Sequence, residues 1–501
     1  MMRSRRKPLL LAIDQGTTGT KAVVLQSDLK VVAEATREFP QNFPRPGWVE
    51  HDLEDIFVSV RGAVTEALER ARVKTGNLAA IGITNQRETT VIWDRQSRKP
   101  IHRAIVWQDR RTQDRCVALR RRGLEPMIRR KTGLVLDPYF SGTKIAWILD
   151  NVAGARRAAR AGRLLFGTID TYLVGRLTGG TTHVTDLSNA SRTLLVDLKK
   201  GQWCRELLEA FDVPEAMLPR ILDNDTVFGQ TSGVDFLPDG VPIASVIGDQ
   251  QSALFGQACF SSGEAKCTYG TGAFLVLNTG DRIVSSRQGL LSTVAWKLRG
   301  KATYALEGST FMAGAIVQWL RDGLGIIRSS SEIEALARSV SDSDGVFLVP
   351  ALTGLGAPHW DPGARGVLCG LTRGTTRAHI ARAALEGIAF QIHDLVRAME
   401  LDLGKRVRTL KVDGGASRNS LLMQLQADLL GARIVRPRIS STTALGTALL
   451  AGLTTGIFSS RSSIERVWRE EACFRPVMPV RESKRRCALW ARAVEKAKSR
   501  S

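Results

Sequence analysis

Apolar residues fall along this chain in two spacings. Some form short uninterrupted runs bounded by Gly, Thr or Asp; others return every three or four positions. The run Leu9-Leu10-Leu11-Ala12-Ile13 is of the first kind and predicts a buried strand. The turn Asp14-Gln15-Gly16-Thr17-Thr18-Gly19-Thr20 follows, then Lys21-Ala22-Val23-Val24-Leu25, so the segment reads as strand, tight turn, strand. Asp52 precedes Leu53, Ile56, Phe57, Val60, Val64 and Leu68, the stripe of an amphipathic helix behind an acidic cap. Residues 79–83, 91–93, 164–167 and 241–247 read as further strands with helical stretches between them, which predicts an α/β architecture.

After Gly256 a related layout begins again. Ala265-Lys266-Cys267-Thr268 leads through Tyr269-Gly270-Thr271-Gly272 into Ala273-Phe274-Leu275-Val276-Leu277, a second strand, Gly-Thr turn and strand. A long helix is expected over 377–399, with Ile380, Ala384, Ile388, Ile392, Leu395 and Met399 on one stripe. Leu410-Lys411-Val412 then enters Asp413-Gly414-Gly415-Ala416-Ser417, and a helix over 421–430 stops at Gly431. At 501 residues the chain expects more than one domain, and the repeated layout divides it into halves 8–256 and 257–501.

Charge and cysteine usage narrow the function classes. The net charge is +22, but the basic runs 120–122, 129–131, 156–157 and 484–486 are dispersed. None interleaves with aromatics as a base-stacking platform does, so the basic balance reads as a solvated surface and no nucleic-acid partner is expected. Seven cysteines without a C-x-x-C pair argue for a reducing, cytoplasmic setting and against a zinc site. The basic opening Met1–Lys7 is followed by an apolar run of only 9–13, so neither a secretory leader nor a membrane span, which needs about 20 apolar residues, is expected.

Candidate chemistry sits where strands end. Arg87 and Glu88 stand together at the exit of the 79–83 strand, a donor fork beside an acceptor, suited to the hydroxyls of a small polyol. Each Gly-Thr turn offers backbone N–H groups and hydroxyls to a phosphate, and Asp14 can hold a metal ion through water. Taken singly, such a turn is more often just a hairpin. Asp249, in Gly248-Asp249-Gln250-Gln251, is placed either to accept a hydroxyl proton or merely to cap the helix that follows it. Trp107, Tyr139 and Phe274 are aromatics able to pack on a carbon skeleton.

Several longer runs together resemble one family. They are Asp14-Gln15-Gly16-Thr17-Thr18, Pro46-Gly47-Trp48-Val49-Glu50-His51, Ile81-Gly82-Ile83-Thr84-Asn85-Gln86-Arg87-Glu88-Thr89, Thr185-Asp186-Leu187-Ser188-Asn189-Ala190-Ser191-Arg192-Thr193, Gly248-Asp249-Gln250-Gln251 and Thr353-Gly354-Leu355-Gly356-Ala357-Pro358. The chain is similar, over about 8–475, to the glycerol-phosphorylating branch of the FGGY carbohydrate kinases. That resemblance implies two actin-like, hexokinase-like (ribonuclease H-like) α/β domains with an interdomain cleft. It implies ATP-dependent phosphorylation of glycerol to sn-glycerol 3-phosphate, with Mg²⁺ as cofactor and a homo-oligomeric (dimeric or tetrameric) enzyme. By motif, Arg87, Glu88, Trp107, Tyr139, Asp249, Gln250 and Phe274 would bind glycerol. Thr17, Thr18, Gly19, Lys21, Thr271, Gly314, Gln318, Gly415 and Asn419 would line the nucleotide, Asp249 would be the general base and Asp14 would support Mg²⁺. Two departures stand out. Lys21 replaces an Arg found in many relatives, keeping charge without the fork. The segment 230–240 lacks the Gly-Gly-Thr-Arg pattern with which similar bacterial enzymes bind fructose 1,6-bisphosphate.

Overall fold

The computed structural model describes residues 8–72 and 75–499. The opening basic run 1–7 and the last two residues of the second half lie outside them.

The first sheet is built from β1 (Leu9–Gln15), β2 (Gly19–Gln26), β3 (Val31–Glu38), β4 (Leu78–Asn85), β5 (Gly229–Gln230) and β6 (Pro242–Gly248). Its order is β3-β2-β1-β4-β6-β5. The hairpin β1–β2 and the β2–β3 pair are antiparallel, β1–β4 and β4–β6 are parallel, and β5 closes the edge antiparallel to β6. The all-apolar β1 run, between the antiparallel β2 and the parallel β4, is buried on both faces. Helix α1 (Leu53–Arg70) buries Ile56, Phe57, Val60 and Val64, and Asp52 caps it by accepting from the Glu54 N–H at 2.9 Å. Each such side chain contributes about 1.5–3 kcal/mol on burial.

The second sheet repeats this scheme. Six of its seven strands are β7 (Ala265–Tyr269), β8 (Ala273–Gly280), β9 (Lys301–Thr310), β10 (Thr409–Asp413), β11 (Arg433–Pro437) and β12 (Glu470–Phe474), in the order β9-β8-β7-β10-β11-β12, with the strand Leu291–Leu298 outside β9. Again a hairpin (β7–β8) leads to two parallel steps (β7–β10, β10–β11) and an antiparallel edge. The expected long helix spans Arg377–Leu403 and stops at Gly404, φ 72°. The helix after β10, Ser420–Leu430, stops at Gly431, φ 62°, in the left-handed conformation that glycine adopts without a Cβ penalty.

By packing, the chain divides less simply than into the contiguous halves 8–256 and 257–501. One compact unit holds the residues up to Ala258 together with 292–304 and 442–468; the other holds 259–291, 305–441 and the residues from Arg469 on. The reason for the 442–468 segment lies in its helix, α3 (Thr442–Thr454), which packs on α2 (Asp249–Gly256) of the same unit. A Cβ at Gly446 would come within 1.8 Å of the Ser252 carbonyl oxygen, and one at Gly256 within 2.1 Å of that of Thr442. Two glycines therefore set this close approach. Thr447 donates its hydroxyl to the Ile83 carbonyl at 3.0 Å, fastening α3 to β4. No helix among the described residues is long and apolar enough to cross a membrane.

Candidate active site

In the first unit, β4 delivers Arg87 and Glu88 into a tight turn. The Thr89 N–H donates to the Arg87 carbonyl at 2.7 Å, and Glu88 takes φ +60°. A left-handed residue with a Cβ is uncommon and persists where its surroundings over-determine it. Here the Glu88 carbonyl accepts from Ser141 Oγ at 2.9 Å and Thr90 Oγ1 at 3.2 Å. The Arg87 and Glu88 side chains are only 2% and 1% exposed, which excludes an ordinary solvated charged turn.

The turn gathers the other first-unit candidates. Arg87 Nε lies 3.2 Å from Asp249 Oδ1 and 3.8 Å from Glu88 Oε1. Its terminal nitrogens donate to Gln251 Oε1 at 3.2 Å and the Tyr139 hydroxyl at 3.4 Å. Tyr139 in turn meets Trp107 edge to face, centroids 5.5 Å apart. Asp249 opens α2, but Gly248 occupies the cap position and Asp249 makes no capping bond to the second or third turn residue. Its Oδ1 accepts from the neighbouring Gln250 N–H at 2.7 Å, and its side chain keeps 28% of its surface exposed. The carboxylate is thus held by Arg87, partly open, and not the cap of its helix. Gln250 follows it and is buried.

Asp14 lies at the end of β1, opposite Lys21 in the hairpin register. Burial, and then the negative charge of Asp249, push its carboxyl up to about 7, against the pull of Lys21. The hairpin between them is closed by the Gly16 N–H donating to the Gly19 carbonyl at 2.9 Å, and a Cβ at Gly19 would meet the Arg37 carbonyl oxygen at 2.8 Å. Thr17 is half-buried and Thr18 exposed.

The second unit brings its own candidates together. The Thr271 carbonyl accepts from Ala313 and Ala315 N–H at 2.8 and 3.0 Å, and the Gly270 carbonyl from Gly314 N–H at 2.9 Å. The β7–β8 turn therefore sits on the start of the Gly314–Asp322 helix that carries Gln318. A Cβ at Gly314 would lie 2.7 Å from that Gly270 oxygen, and one at Gly414 (φ +87°) 2.4 Å from the Tyr269 oxygen. Gly415, by contrast, faces open space. Asn419 caps the next helix, accepting from Leu422 N–H at 2.9 Å. Phe274 is half-buried on β8 of this unit.

Three buried residues of this unit are given no role by the sequence reading. Arg192, fully buried, donates from Nε to Glu88 Oε1 at 2.6 Å. Lys144, also buried, donates to the Tyr139 carbonyl at 2.6 Å; burial lowers its pKa to about 8 against the pull of nearby carboxylates. Asp186 accepts from Asn189 Nδ2 and Asn224 Nδ2, each at 2.7 Å, and Asn189 exchanges bonds with Asn85, beside the Arg87 turn. Ser188 Oγ accepts from the Gly248 N–H at 2.9 Å. The signal was present in the polar run 185–193, too dense in Asp, Ser, Asn, Thr and Arg for an ordinary buried segment.

With this geometry in hand, comparison with known proteins is direct. Residues 9–256 match the N-terminal domain, and 265–455 the C-terminal domain, of the FGGY family of carbohydrate kinases. The chain is 56% identical to a glycerol kinase of Myxococcus xanthus over 490 residues, 97% of this chain and 99% of that one. It is likewise 56% identical to a glycerol kinase of Alkalilimnicola ehrlichii, over 97% and 98%. Among solved structures, Plasmodium falciparum glycerol kinase with ADP superimposes with TM-score 0.93 at 37% identity, covering 99% of both chains. A xylulose kinase from Lactobacillus acidophilus shares the fold, with TM-score 0.87 at 23% identity over 98% of this chain and 97% of that one.

Proposed function

We infer activity from membership: the chain belongs to the FGGY family of carbohydrate kinases, and within that family it phosphorylates glycerol with ATP, giving sn-glycerol 3-phosphate and ADP. The observation that carries the substrate choice is the buried Arg87–Glu88 turn, with Asp249 at the head of α2 and Trp107 and Tyr139 beside it. Donor fork, acceptors and two aromatic faces suit a short, fully hydroxylated carbon chain.

In the proposed reaction a terminal glycerol oxygen forms a bond to the γ-phosphorus as the bond from that phosphorus to the bridging oxygen of ADP breaks. Asp249 accepts the hydroxyl proton, and Arg87 fixes the carboxylate's orientation. Glu88 is held by Arg192 to accept from a second hydroxyl. Phosphoryl transfer owes most of its acceleration to positioning and to electrostatic stabilisation of the transferred group. The Gly-Thr hairpin of the first unit is a candidate phosphate contact; in the second unit, taken by itself, Thr271, Gly314, Gln318, Gly415 and Asn419 are candidate nucleotide contacts. Mg²⁺ fits the donor set: Asp14 is a half-buried carboxyl whose pKa is raised by desolvation first and by the Asp249 charge second, and a divalent cation would offset both. Asp14 would hold the ion through water, and the bound ion would neutralise charge on the phosphates. The family resemblance also supports a cytoplasmic homo-oligomer, which light scattering tests.

The deciding assay is ADP release with glycerol, dihydroxyacetone, xylulose and gluconate as acceptors. Glycerol is expected to give the highest kcat/KM; a pentulose surpassing it by about tenfold overturns the reading.

A further inference from the structure

Five residues of the first unit close a hydrogen-bonded ring that joins the polyol turn to the phosphate hairpin. Gln86 Nε2 donates to the Gly16 carbonyl at 3.2 Å and to Gln15 Oε1 at 3.1 Å, and its backbone N–H donates to the Gln15 carbonyl at 2.7 Å. Thr89 Oγ1 donates to Gln86 Oε1 at 2.9 Å and accepts from the Trp107 backbone N–H at 3.3 Å. The Trp107 indole Nε1–H then donates to Thr17 Oγ1 at 2.9 Å, one residue from Gly16. Gln86 and Thr89 are 1% and 0% exposed, so the bond between them is shielded from water, while Gly16, Thr17 and Trp107 are half-buried.

We propose that Gln86 and Thr89 are positioning residues that couple the glycerol subsite to the ATP subsite through Trp107 and Thr17. This deepens the reading given under Proposed function and rests on it. An indole N–H is a donor only, so Thr17 can only accept from it. With one lone pair taken there, the Thr17 hydroxyl proton is left to point outward, toward a phosphate oxygen. Substrate carbons seated against Trp107 fix the indole, and the indole fixes that hydroxyl. Thr89 has both its roles set by the ring and touches neither ligand, which makes it the link whose loss reports on coupling alone. A ligand that orders a shared element lowers the ordering cost for the second ligand, so the two bind with positive cooperativity.

The test is calorimetric affinity for a non-hydrolysable ATP analogue, with and without saturating glycerol. It is run on the wild type, Thr89→Val, Thr89→Ser, Trp107→Phe and the Thr89→Val/Trp107→Phe double variant. Glycerol should tighten nucleotide binding in the wild type. That tightening should fall about 2- to 10-fold in Thr89→Val and in Trp107→Phe, the range of one net hydrogen bond. Thr89→Ser, which keeps the hydroxyl, should retain it, and the double variant should lose no more than either single one. A merely structural lesion lowers Tm and weakens both ligands but leaves the ratio intact, and so overturns the proposal. Multiplicative losses in the double variant also overturn it. A wild type that turns over glycerol without any tightening refutes the coupling alone; a wild type that does not phosphorylate glycerol refutes the functional reading beneath it.

Discussion

Replacing Asp249 by Asn separates the proton-accepting role from every structural one. The amide keeps the shape of the carboxylate and an oxygen to accept the Gln250 N–H, now at 2.7 Å. What it loses is the charge 3.2 Å from Arg87 Nε and the capacity to take a proton. Arg87 is buried but keeps Gln251 and Tyr139 as acceptors, and Asp249 is 28% exposed, so the ion pair is partly screened. The stability loss should therefore be about 1–2 kcal/mol. The rate loss should be far larger. Removing a general base costs about 10²–10⁴ in rate, which is about 3–5 kcal/mol of barrier. Because the lost contribution belongs to the transition state, kcat should carry it and the glycerol KM should move little. Steady-state ADP release with a thermal melt on the same preparation measures both. A kcat within about threefold of wild type refutes the assignment of Asp249 as base.

Three further outcomes are expected. Gly446→Ala should destabilise the first unit by about 1–3 kcal/mol or more, since the new methyl meets the Ser252 carbonyl 1.8 Å away and must push α3 from α2; an unchanged Tm sinks this. Arg192→Gln should cost up to about 3–5 kcal/mol by removing the nearer of the two guanidinium groups from the buried Glu88, Arg87 remaining at 3.8 Å, and adding Glu88→Gln should recover stability but not glycerol affinity; a melt paired with glycerol titration checks both. Asp170 lies buried beside Asp186, accepting from Thr168 and Thr185, and burial raises its carboxyl to about 7. A carboxyl whose folded pKa is raised above 3.8 lends stability that is full below that value and lost as pH rises through about 7. The Tm of Asp170→Asn should therefore gain on wild type between about pH 4 and pH 8, and a pH-independent difference contradicts the argument.

Local pattern reached a long way into this molecule. The short uninterrupted runs located β1, β2, β4 and β6 of the first sheet and β7, β8 and β10 of the second, because a buried strand needs only its own residues to declare itself. Gly431 marked its helix end for a reason equally local, the left-handed φ of 62°. The Arg87–Glu88 pair and Asp249 were visible as charges at strand ends.

Partnership between distant residues was not visible. Arg192 and Glu88 stand 104 positions apart, and nothing in the residues around either one specifies the other. The bond from Thr447 to Ile83 spans 364 positions and moves a segment of the second half into the first unit, which no linear division of the chain anticipates. Gly446 has no local signature: it sits inside a helix where glycine is unfavourable, and only the helix packed against it explains the choice. Whether Asp249 capped its helix also depended on backbone geometry, which gave that position to Gly248. Chain-local preferences act over a few residues and are written in the spacing of side chains. Burial of charge, close backbone approach and the hydrogen-bonded ring from Gln86 to Thr17 depend on which surfaces meet, and that is decided when the sheets and helices pack.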